Sequence, residues 1–224
     1  MSQTYSRRDF LTSAAGASVA LACARGVQTG VQPTGGPAAR ATPLFQGDSI
    51  TDAWRFDGPD GSFPGKPYIN RGFSGQTTPQ MVLRFRQDVI DLQPKVVVIL
   101  AGTNDIAGNT GPMTLEQSED NIRDMADLAA ANHIRVVLCS VLPAYDFPWR
   151  PGLEPAPKIV RLNQWISRYA SEKGYVYVDY HSAMKDARDG LPPELSHDGV
   201  HPTAAGYKVI APLVENGIAK ALAK

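Results

Sequence analysis

Val96-Val97-Val98-Ile99-Leu100-Ala101 is the segment that most narrows the fold. It is apolar without a break and rich in β-branched residues, so it leaves no face for solvent. A strand of that kind is buried on both sides, as in parallel sheets covered by helices above and below. Four further strand-like runs accompany it: Leu44-Phe45, Tyr68-Ile69-Asn70, Val136 to Leu142, and Tyr175-Val176-Tyr177-Val178-Asp179. Helical patterns fall between them at about 77–92, 115–132, 157–173 and 203–223. Thr114 with Gln117 three residues on reads as a capping box for the second helix. Ile159, Leu162, Ile166 and Tyr169 share one face of the third, so the neighbouring Trp165 reads as packing. Strands alternating with helices predict a three-layer α/β/α domain with a five-stranded parallel sheet. In such sheets the working residues gather beyond the carboxyl ends of the strands.

The domain is expected to span 43–224, because what precedes it has a different character. Ser6-Arg7-Arg8-Asp9-Phe10-Leu11 leads into an alanine-rich apolar stretch ending at Ala24. Paired arginines, a spacer and Phe-Leu before a modest apolar region resemble a bacterial twin-arginine export signal. The stretch is too short and too rich in Ala, Ser and Gly to read as a membrane span. Residues 1–24 are therefore expected to be a signal peptide read by the twin-arginine export machinery, placing the protein in the periplasm, cell envelope or medium. Ala22-Cys23-Ala24 and Ala39-Arg40-Ala41 are both small-residue cleavage sites. The order Ala20-Leu21-Ala22-Cys23 departs from the Leu-Ala-Gly-Cys of bacterial lipoproteins, so lipid anchoring at Cys23 is left open without being favoured. Residues 25–42, rich in Gly, Pro, Thr and Ala, read as a flexible linker.

Charge excludes one class of partner. The formal net charge is zero, and removal of residues 1–24 leaves 20 basic and 21 acidic residues. With no Lys/Arg stripe to follow a phosphate backbone, nucleic-acid binding is not expected. Of the two cysteines, Cys139 lies in a strand-like run and reads as a core thiol, leaving no disulfide framework.

The polar residues that follow the strands carry the chemistry. Ser49 follows the first strand, Gly72 the second and Asn104 the third, while Asp198 and His201 lie in a loop after the fifth. A serine hydroxyl needs a base within hydrogen-bond reach to act as a nucleophile. Histidine suits that task near neutral pH, and an acid on its other nitrogen fixes the tautomer. Asp198-Gly199-Val200-His201-Pro202 carries acid and base on one short turn. The backbone N–H groups of Ser49 and Gly72, with the Asn104 amide, are candidate donors to a developing oxyanion.

Gly47-Asp48-Ser49-Ile50, Asn70-Arg71-Gly72, Gly102-Thr103-Asn104-Asp105 and Asp198-Gly199-Val200-His201-Pro202 resemble, in order, the four sequence blocks of the GDSL/SGNH hydrolases. The resemblance covers about residues 43–224 and implies a flavodoxin-like fold. It implies Ser49 as nucleophile, His201 as base, Asp198 as the third triad member, and Ser49, Gly72 and Asn104 as the oxyanion hole. It implies a GDSL-type esterase or acylhydrolase acting without cofactor. Gln46 is more polar than the residue usually found before the first block. No Gly-x-Ser-x-Gly occurs, which argues against an α/β-hydrolase nucleophile elbow.

His197, Asp198 and His201 lack a nearby third or fourth partner that would make a metal site, so none is expected. His133 reads as a helix-terminal residue, and His181 follows a strand without an assigned role. Asp48 and Asp105 are expected to bond local backbone. Tyr145, Phe147 and Trp149, in a proline-stiffened loop, and Trp54 after the nucleophile are candidate walls of a substrate pocket. Without an amphipathic lid helix in the pattern, a short acyl group is expected, acetyl on a carbohydrate above all. A lysophospholipase or thioesterase is the alternative. A noncatalytic carbohydrate-binding protein on a hydrolase fold is disfavoured by the complete set of blocks.

Overall fold

The structure, a computed structural model, describes residues 42–56 and 61–224. The expected signal peptide and the linker up to residue 41 lie outside the described residues. Thr42, the last residue given to the linker, is already buried.

Five strands form one parallel sheet: β1 (Leu44–Gly47), β2 (Ile69–Gly72), β3 (Val96–Leu100), β4 (Arg135–Cys139) and β5 (Val176–Val178). Their order is β2-β1-β3-β4-β5. The chain runs outward from β1 to β2, then returns past β1 to β3, so β1 is the point at which the direction of winding reverses. A crevice opens at the carboxyl end of such a strand. The register sets Gly47 opposite both Gly72 and Leu100, so the loops leaving β1, β2 and β3 emerge level with one another.

Alternation along the strands builds two cores, one on each face. Leu44, Val97, Ile99, Val136 and Leu138 pack with α2 (Thr78–Phe85), α4 (Leu115–Ala131) and α5 (Pro155–Lys173). Phe45, Val96, Val98, Leu100, Val137 and Cys139 pack on the other face with α1 (Ser49–Asp52), α6 (Tyr180–Met184) and α7 (Ala204–Leu222). The remaining short helix, α3 (Thr103–Ile106), follows β3. This is the expected three-layer α/β/α arrangement. Thr114 caps α4 through the Gln117 capping box, as its sequence pattern predicts. Among the described residues no helix is long and apolar enough to cross a membrane.

Two expected elements are shorter than the apolar runs that suggest them. The helix over 77–92 is α-helical only to Phe85 and continues as a π-helical turn, Arg86–Ile90. The run Val136 to Leu142 pairs as a strand only to Cys139. Its neighbour β5 stops at Val178, whose carbonyl accepts the Ser140 N–H at 2.9 Å. Beyond that point the Asn163 side chain of α5 replaces the missing strand. It accepts the Val141 N–H at 2.7 Å and donates to the Val141 carbonyl at 2.9 Å. Buried backbone groups must find partners, and here one amide satisfies both.

Candidate active site

Ser49 is the first residue of α1, directly beyond β1. Asp48 caps that helix, its Oδ1 accepting the Ile50 N–H at 3.0 Å. The local role expected of Asp48 is thus what its side chain performs. Its Oδ2 is buried without a partner among the described residues. Burial, only partly offset by the Ile50 N–H and the nearby His201, pushes the Asp48 carboxyl up to about 6. From α7, the Tyr207 hydroxyl donates to the Ile50 carbonyl at 2.8 Å and braces the short helix from below.

The loop before α7 brings the other two groups to Ser49. Ser49 Oγ stands 2.9 Å from His201 Nε2, and His201 Nδ1 stands 2.7 Å from Asp198 Oδ2. With Asp198 accepting from Nδ1–H, Nε2 is left as the acceptor for the serine hydroxyl. Asp198 Oδ1 also accepts the backbone N–H groups of Val200 and His201, at 2.9 and 2.8 Å. Partial burial would raise the Asp198 carboxyl, but these backbone bonds and the His201 ring outweigh it and hold it down at about 2. The acid therefore stays ionised well below neutral pH. Ser196, absent from the sequence reading, closes the turn. Its hydroxyl donates to the His201 carbonyl at 2.7 Å and accepts the Gly199 N–H at 2.9 Å.

Three loops meet opposite His201. Gly102 turns the chain from β3 into α3 at φ +124°, a conformation that L side chains rarely adopt. Asn104 is thereby buried at the sheet edge. Its Nδ2 donates to the Gln76 carbonyl at 3.0 Å, and its Oδ1 accepts from Asn109 Nδ2 at 2.7 Å. An amide nitrogen has two hydrogens, so one N–H of Asn104 has no partner among the described residues. Asp105 bonds its own backbone as expected, and it also bonds beyond its own turn. It reaches across to the Thr78 N–H at 3.0 Å, the Thr78 hydroxyl and the Ser118 hydroxyl at 3.3 Å, fastening α3 to α2 and α4.

Gly72 stands differently from the sequence expectation. Its N–H already donates to Asn70 Oδ1 at 2.8 Å. A Cβ at position 72 would lie 2.1 Å from the Asp52 nitrogen, so glycine is needed there for packing beneath α1. The free backbone donor on this loop belongs to Gly75, at φ +78°, whose N–H meets no acceptor among the described residues. Ser74 ties the loop to α1 through Asp52 Oδ2, and Asn104 ties it to α3 through Gln76. The sequence signal that marks Gly75 is a second glycine in Phe73-Ser74-Gly75-Gln76, one turn beyond the first. Arg84 of α2 braces the same corner, donating to the Gly47 and Arg71 carbonyls at 3.0 and 2.9 Å and to the Gln76 side chain.

Residues 45–209 match the model of the GDSL-like lipase/acylhydrolase family. The chain belongs to that family. A GDSL-like lipase from Bacteroides thetaiotaomicron VPI-5482 has a solved structure that superposes with a TM-score of 0.78 at 44% identity, covering 84% of this chain and 92% of that one. An acetylxylan esterase of Geobacillus stearothermophilus is 27% identical over 202 residues, 75% of this chain and 89% of the relative. An isoamyl acetate-hydrolyzing esterase of Saccharomyces cerevisiae (strain ATCC 204508 / S288c) is 27% identical over 195 residues, 74% of this chain and 81% of the relative. This GDSL-family protein is accordingly a carboxylic ester hydrolase.

The aromatic residues expected around the substrate divide into two groups. Trp54 is buried, stacked on Tyr207 at 5.1 Å and flanked by Phe45, Phe56 and Phe63. Its indole N–H donates to Ser62 Oγ at 2.7 Å. Phe147 is also fully buried and underlies Trp149, ring centroids 5.1 Å apart. Both are corrected to core positions: apolar rings this close to packed strands gain more from burial than from a solvent-facing wall. Trp149 is 41% exposed, and its ring centroid lies 6.0 Å from that of His201. Tyr145 is exposed but lies under the Arg188 guanidinium at 4.6 Å, beside a cavity of about 380 Å³ behind Asp198. Phe73, missed by the sequence reading, is 60% exposed on the loop that carries Gly75. His181 is buried in α6, its backbone N–H donating to Ser140 Oγ at 2.8 Å.

Proposed function

We propose that this GDSL-family esterase removes short acyl groups, acetyl from carbohydrates in particular, through an acyl-enzyme intermediate on Ser49. The observation that carries the reading is the continuous chain Ser49 Oγ, His201, Asp198, with both hydrogen bonds under 3.0 Å. Ser49 Oγ attacks the ester carbonyl carbon as His201 Nε2 takes its proton. Asp198, ionised and held by two backbone N–H groups, stabilises the imidazolium. The oxyanion accepts from the Ser49 N–H, the Gly75 N–H and the free N–H of Asn104, with Gly75 taking the place first given to Gly72. His201 then protonates the leaving alcohol. Water, deprotonated by the same imidazole, releases the acid and restores Ser49.

Two things support an acetylated carbohydrate as the substrate. Two of the relatives are named for acetyl esters, one on xylan and one on a small alcohol. Trp149 and Phe73 offer exposed rings on which a sugar stacks. Export by the twin-arginine route, read from Arg7 and Arg8, would put the enzyme where acetylated polysaccharides are met.

Ser49→Ala is expected to lose at least ~10³-fold of kcat on p-nitrophenyl acetate and to lose all labelling by a fluorophosphonate. Its thermal unfolding should match wild type. Activity equal to wild type would refute the nucleophile. A rate optimum at acyl chains of eight carbons or longer would sink the acetyl assignment alone.

A further inference from the structure

The Asn104 amide is useful to an oxyanion in only one of its two orientations. Turned by half a rotation, a planar amide exchanges its oxygen and its nitrogen at little steric expense. The flipped form would aim lone pairs, not an N–H, at the developing negative charge. Two contacts fix the orientation: the Gln76 carbonyl, which accepts from Asn104 Nδ2 at 3.0 Å, and Asn109 five residues on. Asn109 Nδ2 donates to Asn104 Oδ1 at 2.7 Å, and the Asn109 main-chain N–H donates to the Asn104 main-chain carbonyl at 3.0 Å. A flipped Asn104 would set two NH2 groups against each other at that position. Asn109 is itself held, because its Oδ1 accepts from the indole Nε1 of Trp149 at 3.2 Å. Its Nδ2 also makes a long contact of 3.5 Å to the Gly75 carbonyl.

We propose that Asn109 is a positioning residue of the oxyanion hole, and that the Trp149 indole N–H latches it. The exposed ring beside His201 is thereby connected through two amides to the group that meets the oxyanion. This rests on the reading of Asn104 as an oxyanion donor. Since an oxyanion forms only after attack, the contribution of Asn109 belongs in kcat and leaves KM alone.

The test is a double-mutant cycle with p-nitrophenyl acetate as the probe, run well below the unfolding temperature of every variant. Asn104→Ala is expected to lower kcat by ~10²–10³-fold, the loss typical of one oxyanion donor. Asn109→Ala should lower kcat by about tenfold with KM within about twofold of wild type. Asn109→Asp, similar in size but able only to accept, should lose more than Asn109→Ala, because it favours the flipped amide. Adding Asn109→Ala to Asn104→Ala should change kcat by less than about twofold, since the residue acts through a partner already gone. Trp149→Phe keeps the ring and removes only the N–H, and should lower kcat by about two- to fivefold.

An Asn109→Ala enzyme with wild-type kcat, or one that loses the same factor on both backgrounds, would overturn the positioning role. A Trp149→Phe enzyme with unchanged kcat would overturn the latch. If Asn104→Ala itself keeps wild-type kcat, the oxyanion reading fails and the inference with it. That outcome is distinct from one in which Asn104→Ala loses activity while the Asn109 variants alone keep wild-type kcat.

Discussion

Asp48 illustrates how a residue of the nucleophile block serves the fold against its own charge. One oxygen caps α1 and the other is buried without a partner among the described residues, so ionisation is opposed by burial. A carboxyl raised from 3.8 to about 6 on folding binds its proton more tightly in the folded chain. Below the unfolded value it exacts no penalty. The penalty grows as pH rises through that window and is constant above it. Asn keeps the capping oxygen without the charge. Asp48→Asn is therefore expected to be more stable than wild type at pH 8, on the order of 2 kcal/mol, with the difference closing by pH 4. Asp198 has the opposite sign, since its depressed carboxyl adds stability above 3.8 that is lost toward pH 2, outside this comparison. Urea unfolding of both proteins at the two pH values measures it; a difference independent of pH would contradict the account. At this scale the Asp198–His201 pair was legible in Asp198-Gly199-Val200-His201-Pro202, because both sit on one turn. The unpartnered N–H at Gly75 was not, because two glycines follow β2 and only the partners of their N–H groups among the described residues tell them apart.

The elements were legible in proportion to their length. The four long helical patterns and five apolar runs repeat often enough for periodicity to be read. The helices α1, α3 and α6 are four or five residues long and carry no period, yet two of them hold Ser49 and Asn104. Each is set by its entrance. For α3 that entrance is Gly102, at φ +124°, where a Cβ would also fall 2.7 Å from Leu162 Cδ2. Gly102→Ala is expected to destabilise the domain by about 2 kcal/mol, chiefly from the backbone conformation because the Leu162 terminus can shift. It should also lower kcat by displacing Asn104. Paired thermal-unfolding and kinetic measurements check this, and an alanine variant with wild-type values for both would contradict it. The early end of β4 belongs to the same scale. Val141 and Leu142 look like strand in sequence, but a strand extends only as far as its neighbour, and the Asn163 amide takes over where β5 stops.

For the whole molecule, the proposed export is tested by Arg7→Lys/Arg8→Lys in the full chain. The substituted precursor should accumulate inside a bacterial host, while wild type reaches the periplasm or medium shortened at its amino end, as read by fractionation and intact mass. Equal export of both would remove the twin-arginine reading and leave the esterase reading untouched. By itself the sequence determined the α/β/α class and the parallel sheet, and it singled out Ser49, Asp198 and His201 as groups that meet. Those follow from residue period and from motifs short enough to be local. Tertiary structure alone decided that Trp54 and Phe147 are core, that Gly75 presents the free N–H, and that Asn109 faces Asn104. Each of these depends on which groups from distant segments meet at the end of β1. A hydrogen bond or a buried ring is a property of such a pair, and no residue type carries it in advance.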